Sequence, residues 1–249
     1  MNPGRVHVRD GPAGRELIVD GTFASFYRPG SAVTGSVWDA IAAPLLALAP
    51  KRRRTVLILG LGGGSAARIV RAIAPGAQIV GVELDPAVVE AARQHLALDE
   101  LGVEVVVEDA RAFLERDRRR YDAVFEDVFI GEGDNVHKPG WLPLPGLELA
   151  SRLLAPGGVL VSNALDEAQA VGKAMCGLFP TVLQIDVEDY DNRIFAAGRS
   201  LPEASGLRAA VHASPVLGPS LERLSLRTVK AASQRRVSRP RRGAAARRG

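Results

Sequence analysis

A chain of 249 residues with 47% hydrophobic and 24% charged side chains can build a substantial core, which excludes a wholly disordered protein. Its net charge of +4 is uneven, because residues 227–249 carry nine Lys/Arg and no acid, leaving 23 bases against 28 acids in the rest, a net of −5. Cys176 is the single cysteine, which excludes an intrachain disulfide framework, and no uncharged apolar run reaches the length of a membrane-spanning helix.

Residues 5–26 read as short strands. RVHVRD alternates, GPAG turns, and RELIVDGTF alternates again with a further turn at Asp20-Gly21. Residues 1–34 are therefore expected to form a small β-hairpin segment with room for a third strand. Ser36 is placed to cap a helix through Val37, Ile41, Leu45 and Leu46, interrupted at Pro44. From Thr55 the texture changes. TVLILG (55–60), QIVGVEL (78–84), VEVVVED (103–109), YDAVFEDV (121–128) and GGVLVSNAL (157–165) are continuous apolar runs, the pattern of strands buried on both faces. Helices are expected over 64–74, 110–116, 145–154 and 166–178, and from Asp85, an N-cap followed by Pro86, with Val88, Val89, Ala92 and Leu96 on one stripe.

This alternation predicts an α/β domain over 35–213 built on a doubly wound, mostly parallel, seven-stranded sheet. TVLQIDVED (181–189) and NRIFAAG (192–198) have only Tyr190 and Asp191 between them. That spacing permits a hairpin and forbids a crossover helix, so the final strand runs antiparallel to the rest. A helix over 203–213 follows. Residues 214–249, with Pro215, Pro219, Pro240 and then the arginines, read as a basic disordered tail.

Four features fall at the carboxyl ends of successive strands, where open α/β sheets bind ligands. Gly60, Gly62, Gly63 and Gly64 follow a buried strand and open a helix. They serve either the sterics of the turn or close approach to a ligand, at a helix N-terminus that favours negative charge. Glu83 lies 19 residues beyond Gly64, the spacing of a carboxylate that accepts both ribose hydroxyls; its alternative is a solvated strand-end acid. Asp109, beside Glu108, can accept from an exocyclic amine, cap the following helix, or do both. Asp127 ends the fourth strand and is the candidate reactive-centre group. Alternation puts Glu126 on the other side of the strand, where it reads as a surface acid.

Taken together, VDGTFAS (19–25), VLILGLGGGSAARIV (56–70), GVELDPAVVEAAR (81–93), VEDARAFL (107–114), YDAVFEDVF (121–129) and LLAPGGVLVSN (153–163) resemble the spermidine synthase (polyamine aminopropyltransferase) family, which has the Rossmann-like class I S-adenosylmethionine-dependent methyltransferase fold. The resemblance covers about residues 15–200. It implies that the glycine loop holds the nucleoside of S-adenosylmethionine or its decarboxylated form, that Glu83 binds ribose and Asp109 adenine, and that Asp127 is the base for the attacking amine. It also implies a homodimer.

The departures from that family fall on the position that holds the cofactor's amine end, Gly63, and on the polyamine side. Gly63 stands where the family has an aspartate, Ile130 where it has a second acid, Ala24 where it has a glutamine, and Gly35-Ser36-Val37-Trp38 where a tyrosine is expected. A desolvated polyamine needs a partner for each ammonium. The expected reaction is therefore methyl transfer to a small acceptor, with aminopropyl transfer to putrescine and a non-catalytic nucleoside- or nucleic-acid-associated module as the alternatives.

The segment 130–142 is expected over the site. In it, His137 is a general-base candidate or a solvated loop residue, and Trp141 stacks on substrate or anchors the loop; Tyr27 could line the acceptor side. Trp38 reads as core. The histidines lack ligand spacing, so no metal is expected. Arg52–Arg54 and Arg118–Arg120 precede strands at the edge opposite the site and read as a solvated rim. The tail 227–249 is the one stretch suited to nucleic-acid phosphate. MNPGRVHVRD lacks the apolar region of a secretory signal, so a cytoplasmic location is expected, with no membrane partner.

Overall fold

The computed structural model describes residues 4–229. Its N-terminal sheet is antiparallel, with β1 (Val6–Gly11), β2 (Gly14–Val19) and β3 (Thr22–Tyr27) in that order, so the hairpin gains its third strand. Helix α1 (Val37–Ala42) runs on into a 3-10 turn, Ala43–Ala47, at whose start Pro44 needs no amide donor.

Ser36 sits at the N-cap of α1, but its hydroxyl makes no capping bond. Asp39, in the first turn, is the organising acid. Fully buried, it accepts from Thr34 N (2.8 Å), Thr34 Oγ1 (2.7 Å), Gly35 N (3.0 Å) and, from 181 residues away, Ser220 Oγ (2.6 Å). Asp39→Ala orphans all four donors. It is expected to cost about 2–4 kcal/mol of stability in urea denaturation, since each buried unsatisfied group costs ~1–3 kcal/mol and some of them will find water.

The main sheet contains β4 (Thr55–Leu59), β5 (Gln78–Glu83), β6 (Val103–Val107), β7 (Tyr121–Glu126), β8 (Leu154–Ala164), β9 (Thr181–Val187), β10 (Arg193–Gly198) and β11 (Leu224–Val229). Their spatial order is β11-β9-β10-β8-β7-β4-β5-β6. Strands β4 to β8 pair in parallel, while β10 lies between β8 and β9 and is antiparallel to both, as the short connection requires. The crossovers are α2 (Ser65–Ile73), α3 (Pro86–His95), α4 (Ala110–Arg116), α5 (Gly146–Arg152) and α6 (Ala168–Leu178), followed by α7 (Ala204–His212). Val56 and Ile58 of β4 pack with residues of α1, α2 and α7. Leu57 and Leu59, one residue out of phase, pack with residues of α4, α5 and α6. This two-sided burial is why the strand sequences are continuously apolar.

Two expectations change. The sheet has eight strands, not seven, and the segment read as disordered from residue 214 is ordered through 229. Gly218–Arg223 forms a 3-10 turn, and Leu224–Val229 pairs antiparallel with β9, with Leu221 and Leu224 buried. Residues 230–249, the rest of the expected tail, lie outside the described residues. No helix among the described residues is long and apolar enough to cross a membrane.

Candidate active site

Strand order reverses between β4 and β7, and the crevice beyond their carboxyl ends is where ligands bind in such sheets. Gly60 leaves β4 with φ +78°, and a Cβ there would stand 2.4 Å from the Asp127 carbonyl oxygen. Only glycine lets the two strand ends meet.

The amides of the glycine loop are all satisfied within the chain. Gly60 N and Leu61 N donate to Val82 O (both 3.0 Å), and Gly64 N to Leu61 O (3.0 Å). Gly62 N donates to Glu83 Oε2 (2.9 Å) and Gly63 N to Ser25 Oγ (2.7 Å). A phosphate cradle needs amides free to point at the anion. This loop offers a ligand its Cα surface instead, which corrects the reading of it as a seat for negative charge. Gly63 is also corrected as a ligand contact. It packs inward, where a Cβ would lie 2.5 Å from Leu96 Cδ2 and 2.8 Å from Ser25 Cβ.

Glu83 ends β5, and its second oxygen accepts from Asp85 N (3.2 Å). Burial raises its carboxyl above the usual range, with the Gly62 and Asp85 amides pulling the other way. Beside it, Leu84 is 62% exposed and Val107, at the end of β6, is 51% exposed. Apolar side chains this open at a ligand-binding edge are available to cover a flat ring; the sequence reading missed both. Asp109 caps α4 by accepting from Ala112 N (2.9 Å) and remains on the surface at the same edge. Its neighbour Glu108 is paired with Arg116, which lowers the Glu108 carboxyl.

Asp127 and Glu126 separate to opposite sides of β7. Asp127 turns toward α1, where Oδ2 accepts from Trp38 Nε1 (3.2 Å) and Oδ1 from Asn163 Nδ2 (2.8 Å). Asn192 Nδ2 in turn fixes the Asn163 amide (3.0 Å). Burial raises the Asp127 carboxyl to about 6; the Asn163 bond and the positive charge of Lys138 oppose that rise. Trp38 is core, as read, but its indole N–H also orients this carboxylate.

Glu126 is not a surface acid. It is 1% exposed and accepts from Lys138 Nζ (2.6 Å), Ser162 Oγ (2.5 Å) and Val128 N (2.8 Å). Lys138 also donates to Val128 O (3.0 Å) and lies 3.9 Å from the Phe129 ring centroid. The segment 130–142 is thus pinned to the end of β7 beside Asp127 by a buried ion pair.

The three expected acceptor-side residues make other contacts in the structure. Tyr27 sits under the Arg68 guanidinium (4.4 Å) and packs with Leu17, Val88 and Leu96, so it is structural. His137 is exposed, pairs through its backbone with Ile130, and turns its ring toward Asn135 O (3.3 Å). Trp141 packs on Gly146, where a Cβ would come 2.6 Å from its ring, which is the anchoring role.

A methyltransferase-domain family model matches residues 56–158, the stretch from β4 into β8. Polyamine aminopropyltransferase 2 of Pseudomonas aeruginosa is 32% identical over 177 residues, covering 69% of this chain and 49% of that protein. An eEF1A lysine and N-terminal methyltransferase homolog of Drosophila pseudoobscura pseudoobscura is 30% identical over 158 residues, covering 58% of this chain and 24% of that one. The chain thus spans half or less of the length of these relatives. A probable spermidine synthase from Corynebacterium glutamicum shares the fold at TM-score 0.69 and 21% identity, over 89% of this chain and 86% of that one. The chain is thus similar to methyltransferases over residues 56–158 and to polyamine aminopropyltransferases over a longer stretch.

The position at which the spermidine synthase family carries a loop aspartate is filled from outside in this chain. Ser25 of β3 and Leu96, which is fully buried, occupy the space a side chain at Gly63 would need. Gly63→Asp is therefore expected to lower the melting temperature rather than to create a seat for the cofactor's amine end. Thermal denaturation with and without S-adenosylmethionine separates these outcomes.

Proposed function

We propose that this protein transfers a methyl group from S-adenosylmethionine to a small nucleophilic acceptor. When bound, S-adenosylmethionine supplies an electrophilic carbon on its sulfonium. The residues present fit its nucleoside: Glu83 offers acceptors to ribose hydroxyls, Asp109 to the adenine amine, Leu84 and Val107 offer apolar faces to the ring, and the glycine loop adds no phosphate seat. Asp127 carries the reading. It is held from two sides, stands at the switch point, and is ionised at neutral pH with its carboxyl raised to about 6. Such a group orients an incoming amine or hydroxyl and takes its proton.

The acceptor side supports methyl over aminopropyl transfer. Where the family has its second acid, Ile130 is 43% exposed, so a second ammonium would meet an alkyl side chain. Aminopropyl transfer is the second reading, favoured by the 32% identity to a protein named for that reaction, with the exposed Glu132 and Asp134 as the acids left to hold a polyamine. Incubation with methyl-labelled S-adenosylmethionine across small amines, phenols and acids is expected to give labelled product. Efficient formation of spermidine from decarboxylated S-adenosylmethionine and putrescine would overturn the methyl assignment. Glu83→Ala is expected to weaken nucleoside binding about tenfold to a hundredfold by calorimetry, since hydrogen bonds to a charged group contribute ~1.5–3 kcal/mol. The family resemblance also supports a homodimer, which sedimentation equilibrium tests.

A further inference from the structure

Gly218–Arg223, the 3-10 turn that feeds β11, lies far from Asp127 in the chain. Two of its side chains nevertheless lead back to that carboxylate, by separate routes. Ser220, 5% exposed, donates its hydroxyl to Asp39 Oδ2 (2.6 Å) in the first turn of α1. Trp38, the residue before Asp39, donates Nε1 to Asp127 Oδ2 (3.2 Å).

Arg223 takes the other route. Its guanidinium donates to Glu188 O (3.0 Å) and to Asp189 Oδ2 (3.0 Å), and its carbonyl accepts from Glu188 N (2.9 Å). These bonds fix the segment 188–192 that links β9 to β10. Asp189 there has φ +68°, a left-handed conformation uncommon for a residue with a side chain, and Arg223 holds that side chain. Asn192, the last residue of the segment, donates to Asn163 Oδ1 (3.0 Å), and Asn163 donates to Asp127 Oδ1 (2.8 Å). Each oxygen of the Asp127 carboxylate is oriented by a donor whose own support ends on this one turn.

We propose that Ser220 and Arg223 are positioning residues, which fasten to a single turn the two donors that aim the Asp127 carboxylate at the incoming acceptor. The role rests on Asp127 being the base of the proposed transfer. A reacting group is held within about 0.5 Å of its working geometry only when the groups that hold it are themselves fixed. Helix α1 has six residues and no side-chain cap, so its first turn depends on the bonds to Asp39. Asn192 sits outside regular structure, so its place depends on the bonds that hold 188 and 189. The charged groups acting on Asp127 are Glu126 on its own strand and Lys138 on the following segment, which bond to each other and not to the turn.

A carboxyl 13C NMR titration of the full chain tests this without need of an acceptor, with the Asp127 resonance identified by its absence in Asp127→Asn. Ser220→Ala/Arg223→Gln should move the Asp127 midpoint up from about 6, because both donors that favour the ionised form slacken. Arg223 is 37% exposed, so Arg223→Gln alone leaves the core intact and should move the midpoint the same way. Glu222→Gln, at an exposed acid of the same turn, should leave it in place. In methyl transfer, the double variant should lower kcat about tenfold to a hundredfold with nucleoside affinity unchanged. It should add no further loss in an Asp127→Asn background. The proposal is overturned if the midpoint stays or falls in the folded variants. It is equally overturned if the loss of rate is as large in the Asp127→Asn background as in the parent, which is what general destabilisation gives. A midpoint that rises in a protein that methylates nothing supports the positioning role and overturns the methyl-transfer reading instead.

Discussion

Asp127→Asn is expected to lower the transfer rate by about 10²–10⁴-fold, the range a positioned general base supplies, while nucleoside affinity stays within a few-fold of the parent. The asymmetry follows from geometry. Asp127 lies on the α1 side of β7, held by Trp38 and Asn163, whereas the residues offered to the nucleoside come from β5 and the ends of β6. Single-turnover kinetics with calorimetry separates the two effects. Loss of binding in step with loss of rate would move Asp127 from chemistry to cofactor retention.

The pH dependence follows from the same carboxyl. Burial raises it to about 6, so below that pH the group is protonated and cannot accept a proton from the acceptor. The parent rate is expected to rise with pH through about 6 and then level, and the Asn variant should lack this limb. Folding linkage has the opposite sign. A carboxyl raised in the folded state binds more protons there than in the unfolded chain, so its contribution to stability falls as pH rises from its ordinary value of 3.8 to about 6. Low pH therefore costs this protein activity at Asp127 while favouring the folded state there.

Lys138→Met is expected to be the most destabilising single change near the site. It leaves Glu126 buried at 1% exposure without its cation, a change of the kind that costs about 3–5 kcal/mol. For a chain of this size that corresponds to a drop in melting temperature of order 10 °C. The double variant Lys138→Met/Glu126→Gln should recover most of the loss, because no bare charge remains inside. Failure of the second change to rescue the first would mean that the lysine stem and its contact with Phe129, not the ion pair, hold the loop. The pair also bears on function, since it pins residues 130–142 to the strand end that carries Asp127.

Much of this was legible in the sequence because it is local. Asp85 and Asp109 sit one residue before their helices and cap them, the two-sided strands announce themselves as unbroken apolar runs, and the short link after β9 dictates an antiparallel β10. What was missed joins distant residues. Lys138 bends back 12 positions to Glu126, Ser25 reaches Gly63 across 38, and Trp38 reaches Asp127 across 89. No spacing rule carries these contacts. β11 escaped notice because Leu224 and Leu226 alternate with polar residues, as an edge strand should, directly before the arginine-rich stretch. The contacts of Tyr27 under Arg68 and of His137 with Ile130 were likewise beyond any spacing rule.

The central claim is that the carboxyl edge of this sheet is a nucleoside site without a phosphate seat. Calorimetric titration of the full chain with S-adenosylmethionine, its thioether product and ATP tests it most directly. Sub-millimolar binding of the first two and much weaker binding of ATP are expected, because the loop amides from Gly60 to Gly64 are already engaged. ATP binding as tightly as S-adenosylmethionine, or no heat from either sulfur ligand, would contradict it.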